Sequence, residues 1–401
     1  MSTINSQLQH IYQDAVQTLQ EGKFREEYFS SLFKGPWGAL LFLFYYEQYV
    51  DTEADNATAL LEKIYGDYAP EEGTNFSFCN GHTGPFWLLD HLSRHDFIDM
   101  DVHALAEDFV TAAMVQNNYQ IHFNNFDYLH GSAGIVHFLL GFAHRQDVRN
   151  HLEEFVTAVN KFSETTDLGR SLPFFYTHDE ENPVYVNSFS LAHGSCAVLI
   201  ILSKIYQLGI AQDACRTLIN ESLEFMIAHR NKVEVDSMHA LYPAIMDGKT
   251  YNSRLAWCYG DLNVAIAMWY CGKTLGEQRW MDEGVDIMRY NSHRKTNLQA
   301  GIVDNCLCHG SAGIAAFYLR FWHETKEQLF YDCAMHWNSQ AVADINFSEE
   351  GGKAGIKVWQ GKERDWDYAW DLLDGAVGVG LSMISHEQQK PLAWDECFLL
   401  S

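Results

Sequence analysis

The sequence predicts an all-α protein arranged as a closed double ring, with seven buried helices inside and seven amphipathic helices outside. Three observations carry this reading. A short glycine motif recurs along the chain, each copy opens a run that is apolar nearly all round, and amphipathic runs alternate with these. Self-similarity at a period of tens of residues marks a repeat architecture, and a helix apolar on every side is buried on most of them. An open solenoid would need polar capping repeats at its ends. Here the first and last copies are as apolar as the middle ones, so the repeats are expected to close on themselves.

The clear copies begin at Gly35 (GPWG), Gly81 (GHTG), Gly131 (GSAG), Gly310 (GSAG) and Gly375 (GAVG). Two looser copies begin at Gly194 (GSCA) and Gly260 (GDLN). A small residue at a helix start lets the backbone turn tightly and pack close to its neighbour, and this suffices to explain the glycines. Apolar runs follow, as at 39–50, 135–145, 198–208 and 314–322. Amphipathic helices are predicted within 7–20, 57–65, 102–115, 148–162, 214–229, 279–290 and 327–337. The longest steps carry extra Pro, Gly and β-like pieces at 167–188, 231–253 and 346–368, which read as loops or hairpins. Loops of that length are often functional. No low-complexity linker interrupts the chain, so residues 1–401 are expected to form a single domain.

Composition narrows the function. The chain carries 53 acidic and 27 basic residues, a net charge of −26. Such a field repels phosphate backbones and anionic lipid, so nucleic acid is an unsuitable partner and a cationic one is favoured. No run is long and apolar enough for a membrane span. The start, MSTINSQLQHIYQDA, lacks a basic segment followed by an apolar one, so a cytoplasmic location is expected. Nine cysteines, several inside apolar runs (Cys196, Cys215, Cys271, Cys333), point to reduced thiols rather than a disulfide framework.

The residues just before the repeat glycines are Lys34, Asn80, His130, His193, Tyr259, His309 and Asp374. If the repeats are equivalent, these seven share one level, at the N-terminal mouth of the inner helices. Polar, titratable groups at the mouth of an apolar barrel are where a site is expected. Cys258 and Cys308 each stand two residues before a repeat glycine, in Trp-Cys-Tyr-Gly and Cys-His-Gly, one repeat apart. Cys258, Cys308 and His309 make a Cys, Cys, His set, which leaves a tetrahedral zinc one open position and so suits a catalytic site. Cys306 is at a different offset and is left out.

Trp257-Cys258-Tyr259-Gly260, Leu307-Cys308-His309-Gly310, Leu191-Ala192-His193-Gly194 and Leu372-Leu373-Asp374-Gly375 resemble the motifs of the lanthionine synthetase C-like peptide cyclases, over essentially the whole chain. The resemblance implies an α/α toroid of seven inner and seven outer helices with zinc at one mouth. It implies addition of peptide Cys thiols to dehydroalanine or dehydrobutyrine, which closes (methyl)lanthionine rings. Carried over motif by motif, it also implies roles for His193, for Asp127 in Phe-Asp-Tyr-Leu-His-Gly, for Arg254 and for Tyr259. His193 would protonate the enolate, Asp127 would orient His193 or pair with Arg254, and Arg254 or Tyr259 would stabilise the enolate oxygen or brace the site. Asp261-Leu262-Asn263 and Cys196-Ala197 depart from the usual family pattern and touch helix entry more than the ligands.

The expected partner is a dehydrated precursor peptide, a leader with a Ser/Thr/Cys-rich core. The chain has no dehydratase or kinase-like region, so a separate dehydratase is expected, with membrane contact only through a biosynthetic complex. The alternative within the family is a protein that binds glutathione or adds it to dehydroamino acids. An unrelated toroidal glycosidase would need an acid–base carboxylate pair, for which Asp127 and Asp374 are the only candidates at the mouth.

Overall fold

The computed structural model describes residues 3–68, 75–175, 184–232, 240–249, 251–346, 353–359 and 365–401. Among them the helices are α1 (Thr3–Glu21), α2 (Pro36–Tyr49), α3 (Asn56–Gly66), α4 (Thr83–Arg94), α5 (Val102–Leu105), α6 (Glu107–His122), α7 (Ser132–Leu140) and α8 (Gln146–Phe162). They continue with α9 (Ser195–Gln207), α10 (Gln212–Ala228), α11 (Asp261–Leu275), α12 (Gln278–Asn291), α13 (Asn297–Ala300), α14 (Ser311–Thr325), α15 (Gln328–Ala343) and α16 (Ala376–Gln388). Setting aside the four-residue α5 and α13, seven of these helices start at the glycine copies, six lie between them, and α1 precedes the first copy.

The two sets bury different faces. Every residue from Pro36 to Tyr46 in α2 is buried, as is every residue from Ala376 to His386 in α16. In α8 burial is confined to Val148, His151, Leu152, Phe155, Val156 and Val159, the three-to-four-residue stripe of a helix lying on a core. The predicted helix at 102–115 is broken: α5 ends at Leu105, Ala106 adopts a non-helical conformation, and α6 runs on to His122.

The chain divides into two compact units. The first comprises residues 1–75, 79–102 and 302–401. Within it α14 packs on α16, α16 on α2 and α2 on α4, so the last inner helix lies against the first. The outer helices α1, α3 and α15 cover them. The second comprises 76–78 and 103–301. There α7 packs on α9 and α9 on α11, with α6, α10 and α12 outside.

The loop insertions form antiparallel hairpins. β1 (Glu164–Thr166) pairs with β2 (Gly169–Ser171), β3 (Phe174–Phe175) with β4 (Tyr185–Val186), and β5 (Lys357–Trp359) with β6 (Trp366–Tyr368). Residues 231–253 contain no strand among their described residues. Parts of all three predicted insertions, 176–183, 233–239 with 250, and 347–352 with 360–364, lie outside the described residues.

A recurring turn precedes the inner helices. Four residues before the repeat glycine, a side chain accepts the N–H of the residue just before that glycine. Ser31 Oγ takes Lys34 N–H (2.8 Å), Asp127 Oδ1 takes His130 N–H (2.7 Å) and Ser190 Oγ takes His193 N–H (2.8 Å). Asp371 Oδ1 takes Asp374 N–H (2.9 Å), and Cys306 Sγ takes His309 N–H (3.4 Å). The turn then lies over the helix start. A Cβ on Gly134, Gly313 or Gly378 would fall 2.0–2.1 Å from the carbonyl oxygen of Tyr128, Leu307 or Leu372, so only glycine fits. In the first unit the turns are joined by backbone bonds, Cys308 N–H to Leu373 O, Leu373 N–H to Phe33 O, and Phe33 N–H to Cys79 O (3.0, 3.0 and 3.4 Å).

The Gly260 copy solves the same problem with side chains. Asn263 stands where other copies have glycine, and its amide donates to Ala256 O (2.8 Å) and accepts from Leu191 N–H (2.6 Å). Asp261, fully buried, accepts the N–H groups of Leu241 and Tyr242 (2.9 Å each) and faces the buried Arg294 at 3.6 Å. Arg294 in turn donates to Ser253 O (2.7 Å). The departure from the family pattern is therefore a satisfied polar network that ties Leu241, Tyr242 and Ser253 to the start of α11. A buried ion pair of this kind tolerates removal of one partner poorly.

Candidate active site

The residues predicted to share the mouth sit, one by one, in the turn before an inner helix. Six are half-buried and Asp374 is buried. In the second unit three of them adjoin: the His130 and His193 rings stack at 5.9 Å, and the His193 and Tyr259 rings lie 6.3 Å apart. His193 Nδ1 bonds Asp127 Oδ2 at 2.7 Å. Asp127 thus uses one oxygen to close its own turn and the other to hold the next copy's imidazole. Burial alone would raise the Asp127 carboxyl, but the charges and bonds of His193 and His130 hold it below the usual range. Burial alone would lower His193; Asp127, with a smaller contribution from Cys258, outweighs it and lifts the imidazolium above its ordinary value.

Cys258 is half-buried in the same unit, and its backbone carbonyl receives the Ser190 hydroxyl. Arg254, in contrast, is exposed and makes no ion pair among the described residues. Of the two partners considered for Asp127, His193 is the one it meets.

In the first unit His309 lies between two carboxylates. Its Nε2 is 3.2 Å from Asp304 Oδ2 and its Nδ1 is 3.9 Å from Asp374 Oδ1. Asp304 is buried, which would raise its carboxyl, but His309 and the backbone of Trp359 hold it down. Asp374 Oδ1 is buried and has no hydrogen-bond partner, while Asp374 Oδ2 pairs with Lys34. Lys34 also stands 3.8 Å from Asp371, and Cys308 is close enough to add to its positive stabilisation. A cavity of about 410 Å³ lined by Arg25, Tyr28, Lys34, Trp370 and Asp371 adjoins this cluster.

Cys306 occupies the turn slot in its copy. It is buried, and desolvation together with Asp304 and Asp374 pushes its thiol up, toward the neutral form. Cys308, two residues on, is half-buried. None of the nine cysteines is in a disulfide.

A model of the lanthionine synthetase C-like protein family matches residues 26–399. The chain belongs to that family. Its fold matches the solved nisin cyclase with a TM-score of 0.74 at 17% identity, over 97% of this chain and 96% of that one. No curated protein matches it. The chain of this lanthionine synthetase C-like protein therefore folds as an α/α toroid, as its repeats predict. Among the described residues no helix is long and apolar enough to cross a membrane.

Sequence reading missed several residues of this lanthionine synthetase C-like site. Asp304 stands five residues before His309, where no other copy carries a carboxylate. Asp371 and Ser190 carry a readable signal, because in five of the seven copies the residue four before the glycine is a hydrogen-bonding one, Ser31, Asp127, Ser190, Cys306 and Asp371, that closes the turn.

Proposed function

We propose that this chain, acting as one domain over residues 1–401, is a zinc-dependent lanthionine synthetase that closes thioether rings in a dehydrated peptide. The observation that carries the reading is the Asp127-backed His193 beside Cys258, in a chain of this family. Cys258, Cys308 and His309 are the proposed metal ligands. Two thiolates and an imidazole are a soft, borderline set that suits zinc with one position left for substrate. The donor chemistry fits in a second way: with Asp304 accepting Nε2–H, His309 keeps its Nδ1 lone pair for a ligand bond. Zinc, when bound, would lower the pKa of an incoming cysteine thiol so that it reacts as thiolate near neutral pH.

The chain's own residues then do the following. The thiolate sulfur bonds to Cβ of the dehydroamino acid, and the π electrons move onto the adjacent carbonyl as an enolate. His193, held by Asp127 at Nδ1, delivers a proton from Nε2 to Cα, completing addition of S–H across the double bond. The thiol's own proton leaves to solvent, from which His193 is recharged. Tyr259, beside His193, and the exposed Arg254 are the proposed donors to the enolate oxygen. Zinc content, the lanthionine product and a cytoplasmic location all belong to this proposal. So do a dehydrated leader–core peptide as substrate and a separate dehydratase that supplies it.

The test is incubation of the protein with a dehydrated precursor peptide, with and without glutathione, followed by thiol alkylation and mass spectrometry. Loss of free peptide thiols without mass change supports the cyclase. Glutathione adducts on the peptide, with peptide thiols left free, would replace it with glutathione transfer.

A further inference from the structure

The first unit contains a further cluster of ligand-type side chains, none of them a thiol. His91 lies in the last turn of α4 and His95 caps that helix, four residues on, so both rings share one face. Glu396, in the 3₁₀ segment Ala393–Phe398, brings one carboxylate against both: Oε2 is 3.2 Å from His91 Nδ1 and Oε1 is 3.2 Å from His95 Nε2. The three donor atoms all lie within 4.8 Å of one another. We propose that His91, His95 and Glu396 form a second divalent-metal site, of two imidazoles and a carboxylate, for a transition metal such as zinc or cobalt.

The spacing supports this. Tetrahedral bonds of about 2.0–2.1 Å set neighbouring donors roughly 3.3 Å apart, close to both carboxylate–imidazole separations. Two His at i and i+4 on a helix are a recurrent ligand pair. The outer shell is also present, since His91 Nε2 contacts Tyr45 Oη at 3.1 Å, a partner that fixes the ring. Trp87 stacks on His91 at 4.8 Å and limits its motion.

Charge decides whether a cation is tolerated. Arg94 donates to Glu396 Oε2 at 3.1 Å, which opposes a metal, but Asp90 holds the same guanidinium at 2.7 Å. Two carboxylates against one guanidinium leave negative charge for a divalent ion to neutralise. His95 and Glu396 are partly exposed, with side chains 32% and 20% accessible, so an ion can enter from solvent. Without thiolate the site prefers harder partners than Cys258 and Cys308 do.

The experiment measures Zn²⁺ and Co²⁺ stoichiometry on the full chain, by equilibrium dialysis with metal analysis and by cobalt absorption. Wild type should hold two ions. Cys258→Ala/Cys308→Ala should keep one, without the sulfur-to-cobalt charge-transfer band. His95→Ala should keep only the ion that carries that band. Adding His95→Ala to the double cysteine variant should weaken the remaining ion by more than the roughly 10–100-fold that an outer-shell change costs. His95 is partly exposed, so the variant should fold, and Glu396→Gln offers a second check, each monitored by circular dichroism. Overturning results are a double cysteine variant that binds no metal, or a His95→Ala protein that still binds two ions. Failure of the thiolate site would instead show as a missing charge-transfer band in wild type.

Discussion

His193 and His309 occupy the same slot of two repeats, immediately before the glycine that starts an inner helix, yet they are held by opposite ring nitrogens. Asp127, from the preceding copy, takes Nδ1 of His193 at 2.7 Å and leaves Nε2 to act. Asp304, from the same copy, takes Nε2 of His309 at 3.2 Å and leaves Nδ1. A carboxylate on one nitrogen fixes the tautomer and the direction in which the other points. In the proposed function, equivalent sequence positions would thereby take two chemistries, a proton donor and a metal ligand. The difference comes from which loop supplies the carboxylate.

The largest expected effect breaks the ligand side. Cys308→Ala or His309→Ala should abolish zinc at the thiolate site and cyclisation together. If Cys308→Ala retains the sulfur–cobalt band at full strength, the ligand assignment fails. His193→Asn breaks the donor side alone. Zinc occupancy and thiol binding should stay intact while ring closure slows by about 10²–10⁴-fold. Loss of zinc in His193→Asn would make the two histidines alike and remove the contrast.

A smaller effect belongs to Asp304→Asn. An amide cannot replace the carboxylate's charge on His309, so metal affinity should fall by about 10–100-fold with the fold preserved. Dialysis against a competing chelator reads this directly. Unchanged affinity would mean that the Asp304–His309 bond is structural.

How much of this was legible in the sequence follows from what repeats. The seven inner helices were legible because each glycine copy is followed by an apolar run, and the seven outer ones because burial stripes such as Val148, Leu152, Phe155 and Val159 have helical spacing. The mouth positions were legible because they share one offset from the glycines. Contacts that no offset repeats were not. Asp304 reaches His309 from a position whose backbone turn recurs in other copies but which carries Asn75, Asn125, Ser188 or Ala369 there, and Asp127 could be read toward either His193 or Arg254 until geometry decided. The break at Ala106 escaped because the run 102–115 is apolar at helical spacing throughout. Asn263 and Asp261 read as departures from a pattern; their partners, Ala256, Leu191, Leu241 and Arg294, come from elsewhere in the chain.

The finest expected effect concerns pH and sharpens the donor half of the comparison. His193 faces Asp127, His130, Tyr259 and Cys258, and Asp127 keeps its imidazolium above the ordinary value near 6.5 despite burial. A general acid works only while protonated, so the cyclisation rate should hold through neutral pH and fall as pH rises through that elevated value. The same pairing contributes stability that is complete below about pH 6.5 and is lost as pH rises through the folded-state value. Asp127→Asn removes the term that raises the pKa and leaves the burial that lowers it. The inflection should therefore move to lower pH, and at neutral pH the rate should drop while the rate on the acid side changes less. Rate profiles for wild type and Asp127→Asn, with zinc content checked at each pH, measure the shift. An inflection that stays in place in Asp127→Asn would mean that the titrating group is not His193, and the proton donor would have to be sought at Tyr259 or in solvent.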